Sequence, residues 1–496
     1  FANISEEDLL SYGVPPEWLG DVLNATEDTY LEVADHLPAE AAEALLQLAT
    51  GGQPKAPEPV EVGGDPFEHP DAQRRFRVMR YVEELERALD LAWEKWGIFL
   101  HPAQQQTAEG DYNGPARVSG SAGTGKTTVA LHRAVFLARA NPEARVLLTT
   151  FSDTLSNALR IKLRLLVSNE PSLGERLEVH SLDAIGRRLY QSHFGTPNLA
   201  PQDLIRQLIE EAAEAVEGHQ FSLHFLVTEW EQVVDAWQLD TWESYRDVLR
   251  LGRRTRLPEN RRSVLWSIFE IVRSRLKADN LITHADMFCQ LASKLSGGAH
   301  PPFDFAVMDE SQDVTVSHLR FLAALGGGRA NSLFFAGDLG QRIFQLPFSW
   351  LALGVDVRGR SRTLRINYRT SHQIRMHADR LLGSELADVD GNIEERHGTV
   401  SVFNGPHPTI MALGNQQAEI EEVSRWQAAR TADGLVPREI GIFVRSPAEL
   451  DRARQAAEDA GLPYKLLDDK VETTSGYLSI STMHLAKELE FRSVMV

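Results

Sequence analysis

The sequence predicts an α/β protein whose sheets are mostly parallel. Short runs rich in β-branched and aromatic residues alternate with stretches of helical apolar spacing, which is the pattern of strand–helix–strand units. Between about residues 190 and 298 this β signal disappears, so only helices are predicted there. The length of 496 residues, at about 150 residues per domain, corresponds to roughly three domains. The predicted strands lie at 145–151, 305–308, 333–336, 439–444 and 478–481.

The N-terminal stretch is predicted to be a small helical segment followed by a linker. Residues 1–50 have helix signals, because Pro15-Pro16 favours a helix start and residues 39–48 have helical apolar spacing. Residues 51–70 contain five prolines and four glycines, a composition typical of an extended linker. A charged helix is predicted from about residue 71 to residue 96.

The same stretch carries most of the net charge. Residues 1–70 hold fifteen Asp and Glu against Lys55 alone, which gives −14 of the total −19 and leaves −5 for residues 71–496. That remainder is nearly balanced, so it can carry a local basic groove for a polyanion despite the acidic total. For the acidic segment, contact with a protein partner is the only role that the sequence suggests.

Cysteine content and apolar runs limit the location of the protein. Cys289 is the only cysteine, which excludes an intramolecular disulfide and favours a reducing compartment. No apolar run approaches the ~20 residues of a membrane span. The first residues lack the basic start and apolar stretch of a signal peptide. The sequence therefore predicts a cytoplasmic protein with no membrane partner.

Residues 120–127 fit the phosphate-loop pattern GxxxxGK[ST], with a predicted strand at 116–119 and a predicted helix at 128–139. The glycines allow backbone N–H groups to converge on phosphates, and the helix N-terminus adds its positive dipole end. Lys126 is predicted to reach the β- and γ-phosphate oxygens and Thr127 to bind Mg²⁺, so the predicted cofactors are ATP and Mg²⁺. The predicted nucleotide-binding residues of this loop are Gly120, Ser121, Ala122, Gly123, Thr124, Gly125, Lys126, Thr127 and Thr128.

An apolar strand predicted at 303–308 ends in two carboxylates, Asp309 and Glu310. The carboxyl ends of parallel strands are where ligands bind in open α/β sheets. Asp309 is predicted to hold the magnesium, directly or through water. Glu310 is predicted to orient and deprotonate an attacking water, which a carboxylate within hydrogen-bond reach can do.

Further short motifs follow in a fixed order along the chain. They are Leu100-His101-Pro102-Ala103-Gln104, Thr149-Thr150-Phe151-Ser152, Val179-His180-Ser181-Leu182, Asp309-Glu310-Ser311-Gln312-Asp313, Gly337-Asp338-Leu339-Gly340-Gln341, Asn367-Tyr368-Arg369 and Thr482-Met483-His484 with Lys487-Glu488-Leu489-Glu490-Phe491. With the phosphate loop, they resemble the motifs of superfamily-one helicases of the UvrD/Rep type over residues 100–496.

This resemblance implies roles for individual residues around ATP. It assigns Gln104 to the adenine base, Tyr368 to stacking on adenine and Glu490 to the ribose. Gln341 is implied to sense the γ-phosphate, and Arg369 is implied to act as an arginine finger. Such a finger, contributed by a second domain, makes hydrolysis depend on domain closure.

Single-stranded nucleic acid is bound by aromatic platforms for bases and by donors for phosphates. Phe151 is the best candidate platform, although a phenylalanine that follows a strand could also belong to the core. His180 and Ser181 are candidate phosphate contacts. The resemblance adds Thr482 and His484, which it implies face the nucleic acid.

Two positions depart from the family pattern. Leu346 stands where the family has a stacking tryptophan, so Phe344 or Phe348 is predicted to take over that contact. Glu488 replaces the glycine usual in its motif and places a carboxylate near the predicted nucleotide.

The resemblance also divides the chain into domains. It implies a first RecA-like domain at 71–189 and 299–350, and a helical insertion at 190–298 within it. A second RecA-like domain is implied at 351–496. This second domain stops before the family's last motif, with its second arginine finger, and lacks the family's large accessory insertion.

The sequence therefore predicts an ATP-dependent DNA helicase or translocase used in DNA repair. Its expected partner is single-stranded DNA or a junction of single- and double-stranded DNA, along which the resemblance implies 3′ to 5′ movement. An RNA motor and an ATP-dependent nucleoprotein switch with little unwinding stay open as alternatives, because the residues alone do not separate them.

Overall fold

The computed structural model describes residues 4–26, 29, 33–34, 37, 39–49, 100–167, 170–251, 257–298, 300–342, 346–381, 383, 385–395, 398–467, 474, 476–486, 489 and 491–496. The predicted linker at 51–70 and the predicted helix at 71–96 lie outside these residues. The chain divides into two compact units, residues 1–407 and residues 408–496. The predicted α/β fold class with parallel sheets is confirmed in both units.

Short helices form the described part of the N-terminal segment. They are α1 (Glu6–Ser11), α2 (Leu19–Leu23) and α3 (Ala39–Ala49), with a 3₁₀ turn at Pro16–Trp18. The Ser5 hydroxyl caps α1 by accepting a hydrogen bond from the Asp8 N–H at 3.1 Å, as expected for serine at a helix start. Their apolar side chains form a small core of Leu9, Val14, Trp18, Val22, Leu37, Ala41 and Leu45.

The first large sheet is built from six parallel strands, in two stretches of chain around a helical insertion. The elements before the insertion are α4 (Pro102–Ala108), β1 (Ala116–Ser119), α5 (Lys126–Ala140), β2 (Val146–Thr150), α6 (Asp153–Leu166), α7 (Pro171–Arg176), β3 (Leu177–Ser181) and α8 (Leu182–Phe194). Strands β1 and β2 are buried along their whole length, as expected for parallel strands covered by helices on both faces.

The insertion is helical, as the missing β signal predicted. Its elements are α9 (Gln202–Ala215), α10 (Leu223–Glu229), a π-helical turn (Trp230–Asp235), α11 (Trp242–Asp247), α12 (Glu259–Ala278) and α13 (His284–Ser296). It has a core of its own, centred on fully buried Trp230, Tyr245 and Phe269. A buried ion pair between Arg250 and Glu229, at 2.6 Å, lies beside that core.

The chain then returns to the first sheet and completes it. The returning elements are β4 (Phe305–Met308), α14 (Val316–Gly326), β5 (Leu333–Ala336) and β6 (Ser361–Thr363). The strand order is β3-β2-β4-β5-β1-β6, and every neighbouring pair is parallel. Strand β6 pairs with β1 in the register Arg117 to Ser361, so this sheet continues past residue 350, where the sequence placed the end of the first domain.

Four more strands and a helix complete the first unit. They are β7 (Ile366–Asn367), α15 (His372–Asp379), β8 (Glu385–Ala387), β9 (Ile393–Glu395) and β10 (Val400–Ser401). Strands β7 and β10 pair in parallel, whereas β8 and β9 form an antiparallel hairpin.

The second unit is a smaller parallel α/β body. Its elements are α16 (Gln416–Ala432), β11 (Ile440–Val444), α17 (Leu450–Asp459), β12 (Tyr464–Leu466), β13 (Leu478–Thr482) and β14 (Ser493–Met495). The strand order is β12-β13-β11-β14. In the described parts of both units, no helix has the length and apolar character needed to cross a membrane.

Candidate nucleotide-binding site and nucleic-acid surface

The phosphate loop joins the end of β1 at Ser119 to the start of α5 at Lys126. Gly120, Gly123 and Gly125 have φ angles of 147°, 85° and 83°, a region that side chains disfavour. The N-cap residue Gly125 provides no side-chain cap to α5, and a helix N-terminus without such a cap is a favourable position for an anion. The loop therefore has the backbone geometry that the sequence pattern predicted.

Two of these glycines are also required by close neighbours. A Cβ atom at Gly123 would lie 2.5 Å from the Asn367 Oδ1 atom and 2.9 Å from the Arg369 Cβ atom. A Cβ atom at Gly120 would lie 2.8 Å from the Leu364 carbonyl oxygen. The chain from residue 364 to residue 369 is therefore packed directly against the phosphate loop.

The Lys126 side chain is buried inside the loop. Its ammonium group donates hydrogen bonds to the carbonyl oxygens of Gly120 and Ser121, at 2.9 and 3.1 Å. The lysine is therefore held by two carbonyl groups of the loop itself. From there it can reach the oxygens of a bound phosphate chain.

Asp309 follows β4 and is buried, with its backbone N–H donating to the Thr149 carbonyl oxygen at 2.8 Å. Burial and the neighbouring Glu310 carboxylate raise the pKa of Asp309, although a hydrogen bond from the Thr127 side chain opposes this. Its Oδ1 atom is buried and accepts no hydrogen bond from the described residues. A buried carboxylate oxygen beside a threonine hydroxyl fits an oxygen-binding cation such as Mg²⁺.

Glu310 adopts a left-handed backbone conformation, with φ 54° and ψ 44°, at the start of the 3₁₀ turn Ser311–Asp313. This conformation is unusual for a residue other than glycine and costs free energy, so it occurs where surrounding contacts enforce it. The Gln312 side-chain amide donates a hydrogen bond to the Glu310 carboxylate. The glutamate is therefore oriented by a neighbour in its own motif.

The same glutamine connects Glu310 to the turn that carries Gln341. The Gln312 Oε1 atom accepts a hydrogen bond from the Asp338 N–H at 3.0 Å. The Asp338 carboxylate accepts one from the Gln341 side-chain amide, also at 3.0 Å. Sequence reasoning gave Gln312 and Asp338 no individual role, although both stand in the motifs that carried the resemblance. A hydrogen-bonded path thus runs from Glu310 to Gln341.

Gln104 lies beside the phosphate loop and is buried. Its Oε1 atom accepts a hydrogen bond from the His101 N–H, and its Nε2 atom donates to the Thr124 carbonyl oxygen, both at 2.9 Å. Both ends of the predicted base-reading amide are therefore bonded within the protein. The amide holds the loop close to α4.

The motif at 367–369 is attached to the phosphate loop through Asn367. The Asn367 amide donates to the Ala122 carbonyl oxygen at 2.7 Å, while its Oδ1 atom accepts from the Arg369 and Thr370 N–H groups. The Tyr368 N–H donates to the Gly123 carbonyl oxygen at 2.9 Å. Asn367 was missed by sequence reasoning, which assigned roles only to the two residues that follow it.

Tyr368 presents part of its ring to solvent on the same side of the loop. The side chain is 37 % exposed, and its ring lies 5.9 Å from the His101 ring, centre to centre. Burial of the remainder raises the pKa of Tyr368, so the phenol stays neutral. Part of Tyr368 is therefore exposed beside His101, whose N–H donates to Gln104.

Phe151 follows β2 and is 41 % exposed, unlike the strand residues before it. The next residue, Ser152, caps α6 by accepting a hydrogen bond from the Leu155 N–H. The ring is therefore presented at the surface from a turn fixed by this cap. This exposure separates Phe151 from the core and suits a stacking platform.

Ser181, by contrast, is buried. Its hydroxyl donates to the Asp153 carboxylate and accepts from the Ala184 N–H at 3.2 Å, which caps α8. The structure therefore gives Ser181 a capping role instead of an exposed phosphate contact. The sequence signal for this was present, because serine after a strand and before a helix is a preferred N-cap.

His180 is partly exposed, but its ring is already engaged. The Nε2 atom lies 3.1 Å from the Glu178 carboxylate and 3.3 Å from the Arg188 guanidinium group. Although partial burial opposes it, hydrogen bonds from Arg188, Arg145 and His180 lower the pKa of Glu178. The end of β3 thus carries a cluster of Glu178, Arg145 and Arg188 next to His180.

The remaining nucleic-acid predictions have different outcomes. Phe348 is buried and packs edge-on against Trp237, with ring centres 6.5 Å apart, so of the two candidates for the stacking contact it does not present an exposed ring. Phe344, Glu488 and Glu490 lie outside the described residues, as does the side chain of His484. Thr482 is the last residue of β13 in the second unit and is buried.

Comparison with known proteins decides the family. The family profile described as the UvrD/REP helicase N-terminal domain matches residues 100–348, half of the chain. The chain belongs to the UvrD/REP helicase family. The match includes the phosphate loop and the path from Glu310 to Gln341.

Curated relatives of this UvrD/REP chain carry the name ATP-dependent DNA helicase UvrD2. They come from Mycobacterium bovis and from two strains of Mycobacterium tuberculosis, and each is 26 % identical over 390 residues. The alignment covers 73 % of this chain and 54 % of each relative. The chain therefore spans about half the length of the curated relatives it matches.

Proposed function

We propose that this UvrD/REP chain binds and hydrolyses ATP and uses that reaction to act on DNA as a helicase or translocase. The observation that carries the proposal is the hydrogen-bonded path from Glu310 through Gln312 and Asp338 to Gln341, next to a formed phosphate loop. A turn that reads the γ-phosphate and a carboxylate that activates water are what such hydrolysis requires. The names of the mycobacterial relatives support DNA as the substrate.

Different residues of the chain bind the phosphates, bind Mg²⁺ and activate water. The N–H groups of the loop and Lys126 bind the phosphates. Thr127 and Asp309 would hold Mg²⁺, which when bound neutralises charge on the β- and γ-phosphates. Glu310 orients a water molecule and accepts its proton, and Gln341 responds to the presence of the γ-phosphate. Both effects need the positions that Gln312 and Asp338 maintain.

Adenine binding and nucleic-acid movement are further parts of the proposal. Tyr368 stacks on the base next to Gln104, and Arg369 reaches the γ-phosphate when ATP is bound. Movement is 3′ to 5′ on single-stranded DNA or a single-strand/double-strand junction, coupled to domain closure. A role in DNA repair in the cytoplasm, and contact of the acidic N-terminal segment with a protein partner, belong to the same proposal.

One observation favours a second candidate, an ATP-dependent nucleoprotein switch with little unwinding. Ser181 is buried, and the His180 Nε2 atom lies within hydrogen-bond distance of the Glu178 carboxylate and of the Arg188 guanidinium group, one of which it bonds in either tautomer. Both residues were expected to contact phosphates of the nucleic acid. The end of β3 therefore has fewer available hydrogen-bond donors than the helicase or translocase hypothesis predicted. A switch needs nucleotide-dependent closure but fewer contacts to a moving strand.

ATP hydrolysis with and without single-stranded DNA tests the proposal. We expect DNA to stimulate hydrolysis, single-stranded RNA to stimulate it less, and Glu310→Gln to lower the rate by roughly 10²- to 10⁴-fold, the usual contribution of a general base. Nucleotide affinity in that variant should be unchanged. Glu143→Gln, an exposed glutamate before β2, is the matched control.

The outcomes separate the candidates. Hydrolysis that DNA does not stimulate, with nucleotide binding intact, would favour the switch. Stronger stimulation by RNA would favour an RNA motor. Equal hydrolysis by Glu310→Gln and the unsubstituted chain would contradict the assignment of the general base.

A further inference from the structure

The β8–β9 hairpin carries carboxylates that contact two turns of the connection from β5 to β6. That connection contains the 3₁₀ turn Leu339–Gln341 near its start and a second 3₁₀ turn, Leu351–Leu353, further on. The first turn carries Gln341, which the proposed function places at the γ-phosphate. The contacts that fix these two turns therefore affect ATP hydrolysis.

Asp390, at the tip of the hairpin, caps the second turn. Its Oδ2 atom accepts hydrogen bonds from the Trp350 and Leu351 N–H groups, at 2.7 and 3.0 Å. Its Oδ1 atom accepts one from the Ser349 hydroxyl. Three donors on one carboxylate fix the start of this turn, in the way that an aspartate caps a helix.

Glu394, on β9, contacts the first turn. The side chain is fully buried, and its Oε2 atom accepts a hydrogen bond from the Leu339 N–H at 3.3 Å. Burying a carboxylate costs free energy unless hydrogen-bond donors face it. A buried glutamate at this position of the hairpin therefore requires the donor that the first turn supplies. The Leu339 N–H lies two residues before Gln341 and next to Asp338.

Asp388 anchors the hairpin to the central sheet. It forms an ion pair of 2.9 Å with Arg117 on β1, and both side chains are mostly buried. The same carboxylate accepts hydrogen bonds from the Asp390 and Asn392 N–H groups, which fixes the hairpin turn. β1 leads into the phosphate loop, so the hairpin is attached to the strand that positions that loop.

We propose that the β8–β9 hairpin is a positioning element for hydrolysis, with Glu394 setting the Gln341 turn and Asp390 setting the turn at 351–353. The expected effect on ATP hydrolysis rests on the proposed function, because the hairpin acts on the reaction through Gln341. Glu394 and Asp390 are positioning residues, since they hold backbone of the connection and act through Gln341.

Hydrogen exchange of backbone amides tests the geometry directly. In Glu394→Ala, exchange of peptides covering 339–342 should rise at least tenfold, and in Asp390→Ala, exchange of peptides covering 349–353 should rise as much. Exchange in the phosphate loop and in β2 should not change. Glu385→Ala removes an exposed carboxylate from the same hairpin and is the matched control.

Conservative variants distinguish the loss of these hydrogen bonds from misfolding. Glu394→Gln keeps an acceptor oxygen for the Leu339 N–H and should restore most of the protection. Asp390→Asn keeps one acceptor oxygen for the turn and should restore part of it. If each alanine variant exchanges no faster in its own turn than Glu385→Ala, the positioning role is overturned.

The kinetic readout then links the hairpin to catalysis. Glu394→Ala should lower kcat for ATP hydrolysis about tenfold while the KM for ATP stays within twofold, because the phosphate loop is untouched. A general loss of folding would change both and would raise exchange everywhere. Failure of the unsubstituted chain to hydrolyse ATP would contradict the proposed function, whereas the exchange experiment still decides the hairpin.

Discussion

The nucleotide site and the nucleic-acid surface differ in how closely their predicted residues come together. Around the phosphate loop, Gln104, Asn367 and Lys126 each donate to a different carbonyl group of that loop, with hydrogen bonds of 2.7 to 3.1 Å. On the predicted nucleic-acid surface, only Phe151 is both described and freely exposed, while Ser181 is buried and His180 is bonded to neighbours.

The difference follows from what each ligand needs. A phosphate chain is bound by backbone N–H groups and one lysine at fixed spacing, so a short motif specifies the whole site. A nucleic-acid strand is bound by exposed side chains on several loops, and whether a side chain is exposed depends on how those loops pack. A motif therefore predicts the first kind of site more reliably.

The largest effect on nucleotide affinity is expected at the lysine of the phosphate loop. Lys126→Ala removes the only side-chain cation that the described loop places among its carbonyls, so nucleotide affinity should fall by about 100-fold or more, equivalent to about 3 kcal/mol. Titration with a fluorescent ATP analogue measures this. Lys162→Ala, an exposed lysine on α6, should bind the analogue normally.

A smaller loss is expected when the contact between the phosphate loop and Asn367 is disturbed. Gly123→Ala adds a methyl group at a φ of 85° and 2.5 Å from the Asn367 Oδ1 atom, so either the loop or Asn367 must move. We expect about tenfold weaker binding of the same analogue. Gly174→Ala, where the structure has open space and no positive φ, should leave binding unchanged, and equal behaviour of the two variants would contradict this account.

The comparison of two phenylalanines tests the nucleic-acid surface. Phe151→Ala should weaken binding of a single-stranded oligonucleotide by about 1 to 2 kcal/mol, as loss of one stacked base does, without lowering stability. Phe348→Ala should instead lower the free energy of unfolding by about 3 kcal/mol, because that ring is buried. Fluorescence anisotropy and chemical denaturation separate the two results; a stability loss in Phe151→Ala would place that ring in the core.

The smallest effect is expected at His318, on α14. Burial lowers its pKa to about 4, with Asp183 opposing the shift and His284 adding to it. Its ring is edge-on to Phe288, with centres 4.5 Å apart, and its Nε2 atom lies 4.0 Å from the Asp183 carboxylate.

Because the folded pKa lies below the unfolded value of about 6.5, the unfolded state binds more protons between these values. The contribution to stability is therefore complete above about pH 6.5 and is lost as the pH falls towards about 4. Between pH 7 and pH 6 we expect His318 to contribute a loss of about 0.5 to 1 kcal/mol. Chemical denaturation measures this contribution as the difference in pH dependence between the unsubstituted chain and His318→Gln, whereas the exposed His193→Gln should behave like the unsubstituted chain.

Local patterns were sufficient for several features of this protein. The alternation of β-rich and helical stretches predicted parallel sheets, and the loss of the β signal predicted the helical insertion. The glycine spacing at 120–125 predicted the backbone of the phosphate loop. In each case the deciding interactions join residues that are close in sequence, and family membership followed from the order of those motifs.

Only the tertiary structure decided how distant segments meet. That β6 extends the first sheet beyond residue 350, that Asn367 bonds to Ala122, and that Asp388 pairs with Arg117 all depend on contacts between segments more than 200 residues apart. The burial of Phe348 and Ser181 could not be predicted from the sequence for the same reason, since the exposure of a side chain depends on the neighbours that pack against it. The sequence by itself determined the chemistry of the loop and the acidic pair, because backbone conformation and residue type are local; packing decided which side chains remain free to use that chemistry.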